Sequence, residues 1–223
     1  MPVRRGLFIT LEGLDGSGKS TQITRLSGTL AARGVAVLAT REPGGSAIGE
    51  RIRSILLDSR TAGLSPVAEL ALMFADRAQH IEEVIEPALK AGTIVICDRY
   101  TDSTEAYQGF GRQLGSQVVL ELHRTLCHDL WPDLTLLLES EPDAGITRAR
   151  NRNQSSQSSE GRFENEDAAF FRRVHQGFEK IALREANRVM KVPAGIIQRV
   201  EAEILRTVES RFPQLANPTA VLK

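Results

Sequence analysis

The stretch Gly13-Leu14-Asp15-Gly16-Ser17-Gly18-Lys19-Ser20 fits the pattern G-x-x-x-x-G-K-[ST] of a phosphate-binding loop. Backbone N–H groups of such a loop wrap phosphate oxygens, and the following helix turns its positive end to the same anion. Glycine is needed because a side chain would hold the backbone away from the ligand. On this reading the loop, through Thr21, cradles a nucleotide, Lys19 reaches the β- and γ-phosphates, and the Ser20 hydroxyl ligates Mg²⁺. The pattern requires a strand before it and a helix after it. Leu7 to Leu11, with Phe8 and Ile9, supplies the strand; Ile23, Leu26 and Leu30 recur at helical spacing until Gly34 stops them.

Outward from this unit the alternation continues. Val35 to Ala39 reads as a second strand, and Ile48, Ile52, Ile55 and Leu56 as one face of a short helix beyond the Pro43-Gly44-Gly45 loop. Val67 to Ala91 is a long helical stretch, interrupted at Pro87 and ended by Gly92. Thr93 to Cys97 is apolar on both faces, as a central parallel strand should be. A polar loop leads to a helix at Val118 to Leu126. A fourth strand is expected at Leu134 to Leu138, a helix around Asp167 to Arg188, a fifth strand at Val189 to Val192, and a last helix at Ile196 to Val208 before a frayed tail. Strands alternating with helices imply an α/β, three-layer P-loop NTPase fold: a five-stranded parallel sheet flanked by helices. The 223 residues suit a single domain, with a small lid around 145–167 that includes the polar run Asn151 to Ser159.

Composition narrows the partners. The chain has 28 basic and 28 acidic residues, which argues against nucleic-acid binding by bulk charge. Any bound anion must be held by a local cluster. Cys97 and Cys127 make no disulfide framework and suit a reducing, cytoplasmic setting. The start of the chain has no apolar signal core, and no run is long enough to cross a membrane.

The third strand ends Cys97-Asp98-Arg99-Tyr100. Asp98 stands where an acidic residue helps hold Mg²⁺ through water. Arg99, directly after it, suggests a second anion beside the nucleotide. Arg41, Arg53 and Arg77 also fall where open α/β sheets bind ligands. With Arg99 they can clamp a monophosphate by bidentate hydrogen bonds. A guanine-reading N-K-x-D is absent, and the only D-x-x-G lies inside the loop itself, which excludes a regulatory GTPase. The pattern points to phosphoryl transfer from a nucleoside triphosphate to a phosphorylated acceptor.

The strings TLEGLDGSGKST, TREPGGSAIGERIRSILL, FADRAQHIEEVIEPAL, VICDRYTDSTEAYQGFGR, PDLTLLLES and GRFENED resemble bacterial thymidylate kinases, in order and over nearly the whole chain. The resemblance implies ATP and dTMP as substrates, Mg²⁺ as cofactor, a homodimer, and no nucleic-acid or membrane partner. It implies that Asp15 binds the 3′-hydroxyl region of the acceptor and that Arg53, Arg77 and Arg99 hold its phosphate. Tyr107 would pack under the deoxyribose, leaving no room for a 2′-hydroxyl. Ser103, Thr104 and Gln108 would read the thymine edge and the adjoining loop, with Glu42 and Pro43 flanking the pocket. Many relatives place a thymine-stacking Phe at the position of Met73; Phe74 is its neighbour here, both lie on the Arg77 face of the helix, and Phe74 is the expected cover.

Gly16 stands where one class of the family has an arginine, so the catalytic charge is expected from lid arginines: Arg148, Arg150, Arg152 and Arg162. Their connection is Ser/Gln-rich where the family commonly has a short glycine turn. Val192-Pro193-Ala194 matches an adenine-contacting loop, with Pro193 replacing a commoner acid. Homodimer faces are sought near Ile81 to Leu89 and Ala106. Two alternatives stay open at this point: a non-catalytic nucleotide-binding module, and a kinase for another deoxynucleotide such as dUMP.

Overall fold

A computed structural model describes residues 5–61, 63–140 and 161–216. Five parallel strands form one sheet in the order β2-β3-β1-β4-β5: β1 Phe8–Glu12, β2 Val37–Arg41, β3 Ile94–Asp98, β4 Leu134–Leu138 and β5 Val189–Val192. Registers run Ile9 to Ile96 and Leu134, and Val37 to Ile94. The central strands β1, β3 and β4 are apolar over most of both faces. Ile9, Leu11, Ile94, Ile96, Leu134, Leu136 and Leu138 pack on α1 (Lys19–Ala32) and the last helix, Ile197–Arg211, through Leu26, Leu30, Ile204 and Val208. On the opposite face Phe8, Val95 and Cys97 meet Phe74, Ile81 and Ile85, while Leu137 and Val189 meet the helix Ala168–Arg184 through Phe178 and Ile181.

The remaining helices are α2 (Ala47–Leu57), α3 (Pro66–His80), α4 (Glu86–Lys90), α5 (Thr101–Thr104), α6 (Ser116–Leu126), α7 (Ala168–Arg184) and α8 (Ile197–Arg211). Ser46 caps α2 by accepting from the Gly49 N–H, and Ser65 caps α3 just before Pro66. The long helical stretch does not break at Pro87. A π-helical turn, Ile81–Ile85, joins α3 to α4, so Pro87 falls in the first turn of α4, where its missing N–H is not needed.

Two expectations need correction. The polar loop after β3 is helical: α5 passes into a π-helical segment, Glu105–Gly111. Its polar residues are buried and matched, Thr101 with His123, Asp102 with Arg188, and Glu105 with Arg184. The tail after Phe212 makes a further turn, Pro213–Leu215, that seats Leu215 in the core. Ile81, Ile85, Leu89 and Ala106 are also buried within this single chain, so they are not available to a homodimer face.

Candidate active site

Strands β1, β2 and β3 end at one cavity of about 700 Å³. The phosphate loop forms its floor. Gly13 has φ +133°, and a Cβ there would lie 2.5 Å from the Leu138 carbonyl oxygen, so only glycine lets the loop leave β1 against β4. Gly18 takes φ +97° and hands the chain to α1. The Lys19 ammonium is buried and donates to the carbonyls of Gly13 and Leu14 at 3.1 and 2.9 Å. Burial, reinforced by the Arg99 charge, pushes the Lys19 ammonium down to about 8. Beside it the Ser20 hydroxyl donates to Asp98 Oδ2 at 2.9 Å, and Asp98 Oδ1 is buried with no partner among the described residues. These hard oxygens, one of them unmatched, fit a magnesium ion.

Arg99 stands at the junction of the two halves of the cavity. It occupies the left-handed region at φ +70°, which turns its side chain back across the end of the sheet. Nη1 donates to the Gly13 carbonyl at 2.9 Å and to Ser103 Oγ at 2.8 Å; Nη2 donates to Asp15 Oδ1 at 2.7 Å. The Tyr107 hydroxyl donates to the other Asp15 oxygen at 3.0 Å, and its ring lies 5.1 Å below the Arg99 guanidinium. Burial opposes the charge on Asp15, but Arg99 and Lys19 more than offset it and hold the carboxyl well below the usual range. Beneath this group lies Glu12, fully buried, accepting from the Tyr100 N–H at 2.7 Å and from the Ser103 hydroxyl. Burial, with Asp102 nearby, pushes Glu12 up to about 8.

Arg77 is buried and fastened on two sides. Nε donates to Glu42 at 2.7 Å and Nη2 to Thr104 Oγ1 at 2.9 Å, while Nη1 has no partner among the described residues. Glu42 is held in turn by His80 Nδ1 at 3.0 Å, and the other ring nitrogen of His80 meets Thr40 Oγ1 at 2.7 Å. The Glu42–Pro43 peptide is cis. Arg53 donates to the Pro43 carbonyl at 2.9 Å.

Residues 11–204 match the family model described as thymidylate kinase. The thymidylate kinase of Solidesulfovibrio magneticus is 50% identical over 190 residues, spanning 84% of this chain and 91% of that protein. That of Desulfosudis oleivorans is 43% identical over 215 residues, spanning 95% and 100%. A crystal structure of thymidylate kinase from Ehrlichia chaffeensis matches with a TM-score of 0.74 at 31% identity, covering 92% of this chain and 99% of that one. The chain belongs to the thymidylate kinase family.

Most of the residues expected in a thymidylate kinase site do line the cavity: Asp15, Gly16, Gly18, Lys19, Ser20, Thr21, Glu42, Pro43, Arg53, Met73, Arg77, Asp98, Arg99, Ser103, Thr104, Tyr107, Gln108 and Arg162. Gly13, Leu14 and Ser17 do not: Leu14 is part of the core, and the Gly13 and Leu14 carbonyls turn toward Lys19. Phe74 is a correction. It lies in the core with Tyr100, beneath Arg77 at 5.0 Å, and Met73 faces the cavity instead. A step of one residue turns a helix by about 100°, which is enough to exchange wall for core.

Arg162 is tied to the cavity wall. Its backbone N–H and Nε donate to the carbonyls of Leu57 and Leu56 at the end of α2, and Nη1 pairs with Glu69 at 2.8 Å. Its side chain lines the cavity, and Nη2 is buried with no partner among the described residues. Arg148, Arg150 and Arg152 lie outside the described residues. Arg41 pairs with Glu50 on the rim, half exposed. Glu12, Glu69 and His80 also belong to this network; as single charged or polar residues on a strand and a helix they carry no sequence signal of their partners.

Proposed function

We propose that the protein transfers the γ-phosphoryl group of ATP to dTMP, giving ADP and dTDP. The observation that carries this reading is the sharing of one cavity by the phosphate loop and the Arg99–Asp15–Tyr107 cluster. A nucleotide triphosphate on Lys19 and a monophosphate on Arg99 would then meet end to end.

Lys19 would bind the β- and γ-phosphates, leaving its loop carbonyls for them. Ser20 and Asp98 would hold Mg²⁺, which when bound draws charge off the same phosphates. Arg99, with Arg53, would keep the acceptor phosphate in line. No general base is needed, because a phosphate monoester is substantially ionised near neutral pH; catalysis is positioning and electrostatics. Asp15, fixed by Arg99 and Tyr107, would accept from the acceptor's 3′-hydroxyl. Tyr107 would close the space beside C2′.

Arg77 fits the base better than the phosphate. Thr104, which holds it, is one turn before Gln108 on the same helical segment, Met73 is one turn before Arg77 itself, and all four line the cavity. The unmatched Arg77 Nη1 donor and the unmatched Gln108 Oε1 acceptor complement the carbonyl and N–H of a thymine imide edge. Arg148, Arg150, Arg152 and Arg162 remain part of the proposal as the source of transition-state charge.

We extend the reading to a cytoplasmic homodimer. Two free, buried cysteines suit a reducing compartment, and no helix among the described residues is long and apolar enough to cross a membrane. Light scattering of the purified chain tests the dimer. The activity is tested by coupled ADP release with ATP–Mg²⁺ across dTMP, dUMP, dGMP, AMP and CMP. dTMP should be the best acceptor; another preference would overturn the specificity, and silence with every acceptor would overturn the enzyme.

A further inference from the structure

A side-chain amide reads the same shape in either orientation, so an amide that discriminates must be locked by something else. Gln108 is fully buried and lines the cavity. Its Nε2 donates to Glu69 Oε1 at 2.8 Å, and its Oε1 has no partner among the described residues. Glu69 is itself fully buried on α3. Arg112 donates to both of its oxygens at 3.1 Å, and Arg162 pairs with Oε2 at 2.8 Å. A carboxylate so paired with two guanidinium groups is an acceptor only. It can receive the amide nitrogen of Gln108 and cannot receive the amide oxygen. Turning the amide over would set two acceptors against each other without water to relieve them.

We propose that Glu69 is a positioning residue for acceptor choice: by fixing the Gln108 amide it presents a carbonyl oxygen to the base, favouring pyrimidines with an N3–H over those with a bare N3. This rests on Gln108 facing the base in the proposed reaction. Thymine offers N3–H to that oxygen. Cytosine offers a lone pair, and Glu69 prevents the amide from turning to meet it. In Glu69→Gln the neutral side chain can donate or accept, so both orientations of Gln108 become available. The lock also joins the base end of the cavity to the segment after the lid, since Arg162 and, through Arg112, Glu166 share the same cluster.

The test is the ratio of kcat/KM for dTMP to that for dCMP, measured by ADP release on the full chain. Wild type, Glu69→Gln, Gln108→Leu and the double variant are compared, with folding checked by circular dichroism. The ratio should fall ~10–100-fold in Glu69→Gln and in Gln108→Leu, and no further in the double variant, because both act through one amide. A ratio unchanged in Glu69→Gln while Gln108→Leu lowers it overturns the lock and leaves the base contact standing. Independent, multiplying losses in the double variant also overturn it. A ratio unchanged in Gln108→Leu overturns the base contact and the lock with it. Should Glu69→Gln not fold, Glu69→Asp keeps the negative charge in the cluster but draws the carboxylate back from Gln108 and from the Arg112 Nε that shares its oxygen; the same fall is expected, and an unchanged ratio overturns the proposal.

Discussion

Replacing Lys19 by Met should destroy turnover and stabilise the nucleotide-free fold. The ammonium is buried, and burial brings it from the usual 10.5 down to about 8. A displacement of that size corresponds to roughly 3 kcal/mol by which the folded state disfavours the charge at neutral pH. Methionine fills a similar space without it. The hydrogen bonds to the Gly13 and Leu14 carbonyls are lost with the ammonium, at ~1 kcal/mol each. The net gain is therefore ~1–2 kcal/mol, or about 2–8 °C in Tm for a chain of this size. The sign with pH is fixed. Below pH 8 the lysine is charged in both folded and unfolded chains, and the whole penalty is present. Between about 8 and 10.5 the unfolded chain holds a proton that the folded one has released, so wild-type stability rises and its deficit against the variant closes. Denaturation of nucleotide-free protein at pH 7 and 9.5, beside ADP release, checks all three points. A variant less stable than wild type at pH 7, or a gap that does not shrink, would refute the burial argument. Turnover above a tenth of wild type would refute the phosphate role.

Three further outcomes follow from the same geometry. Arg99→Ala should lower kcat/KM for dTMP by ~10²–10³ while the KM for ATP moves less than about threefold; a defect confined to ATP would contradict the clamp. Asp98→Asn should raise the magnesium needed for half activity by ~10–100-fold, read by titration, and an unchanged requirement would remove Asp98 from the site. Burial, with Glu42 close by, pushes the Asp76 carboxyl up to about 7. The folded state then keeps a proton that the unfolded chain has released, so this group makes stability fall between about pH 4 and 7. Asp76→Asn still accepts from the Gly44 N–H and should flatten that part of the profile; an unaltered slope in urea melts would show that the fall has another source.

The strands were legible where the chain itself punctuates them. Leu134–Leu138 and Val189–Val192 are found as read, because each is a short apolar run between polar or proline stops. β2 begins two residues later than its apolar run, since pairing with β3 starts at Val37. Register against a neighbour, and not hydrophobicity, sets an edge strand's limits. Residues 101–111 read as a loop in the sequence because polar composition normally means solvent. Here Asp102, Glu105 and Gln108 are buried against Arg188, Arg184 and Glu69, partners 39 to 86 positions away. The phosphate loop, Asp98 and Arg99 were legible because consecutive residues carry their chemistry. The exchange of Met73 for Phe74, the fastening of Arg162 and the importance of Glu69 depend on which side of a helix meets which neighbour. A single sequence does not record that.

The formal net charge of zero acquires a meaning from these pairings. Lys19, Arg77 and Arg99 crowd one cavity, and each is matched within the fold: Lys19 by loop carbonyls, Arg77 by Glu42, Arg99 by Asp15. The matching is incomplete in a consistent way. Arg77 keeps one donor unmet, and Asp98 and Gln108 each keep one acceptor unmet. A cation balanced by a buried carboxylate can stay charged without collapsing onto the nearest anion, and its remaining hydrogen-bond capacity is aimed by the partner that holds it. Carboxylates such as Glu42 and Glu69 thus act as orienting devices, and neutrality overall coexists with a strong and directed local field. The same arrangement explains why removing a carboxylate should change what the site selects before it changes how strongly the site attracts anions.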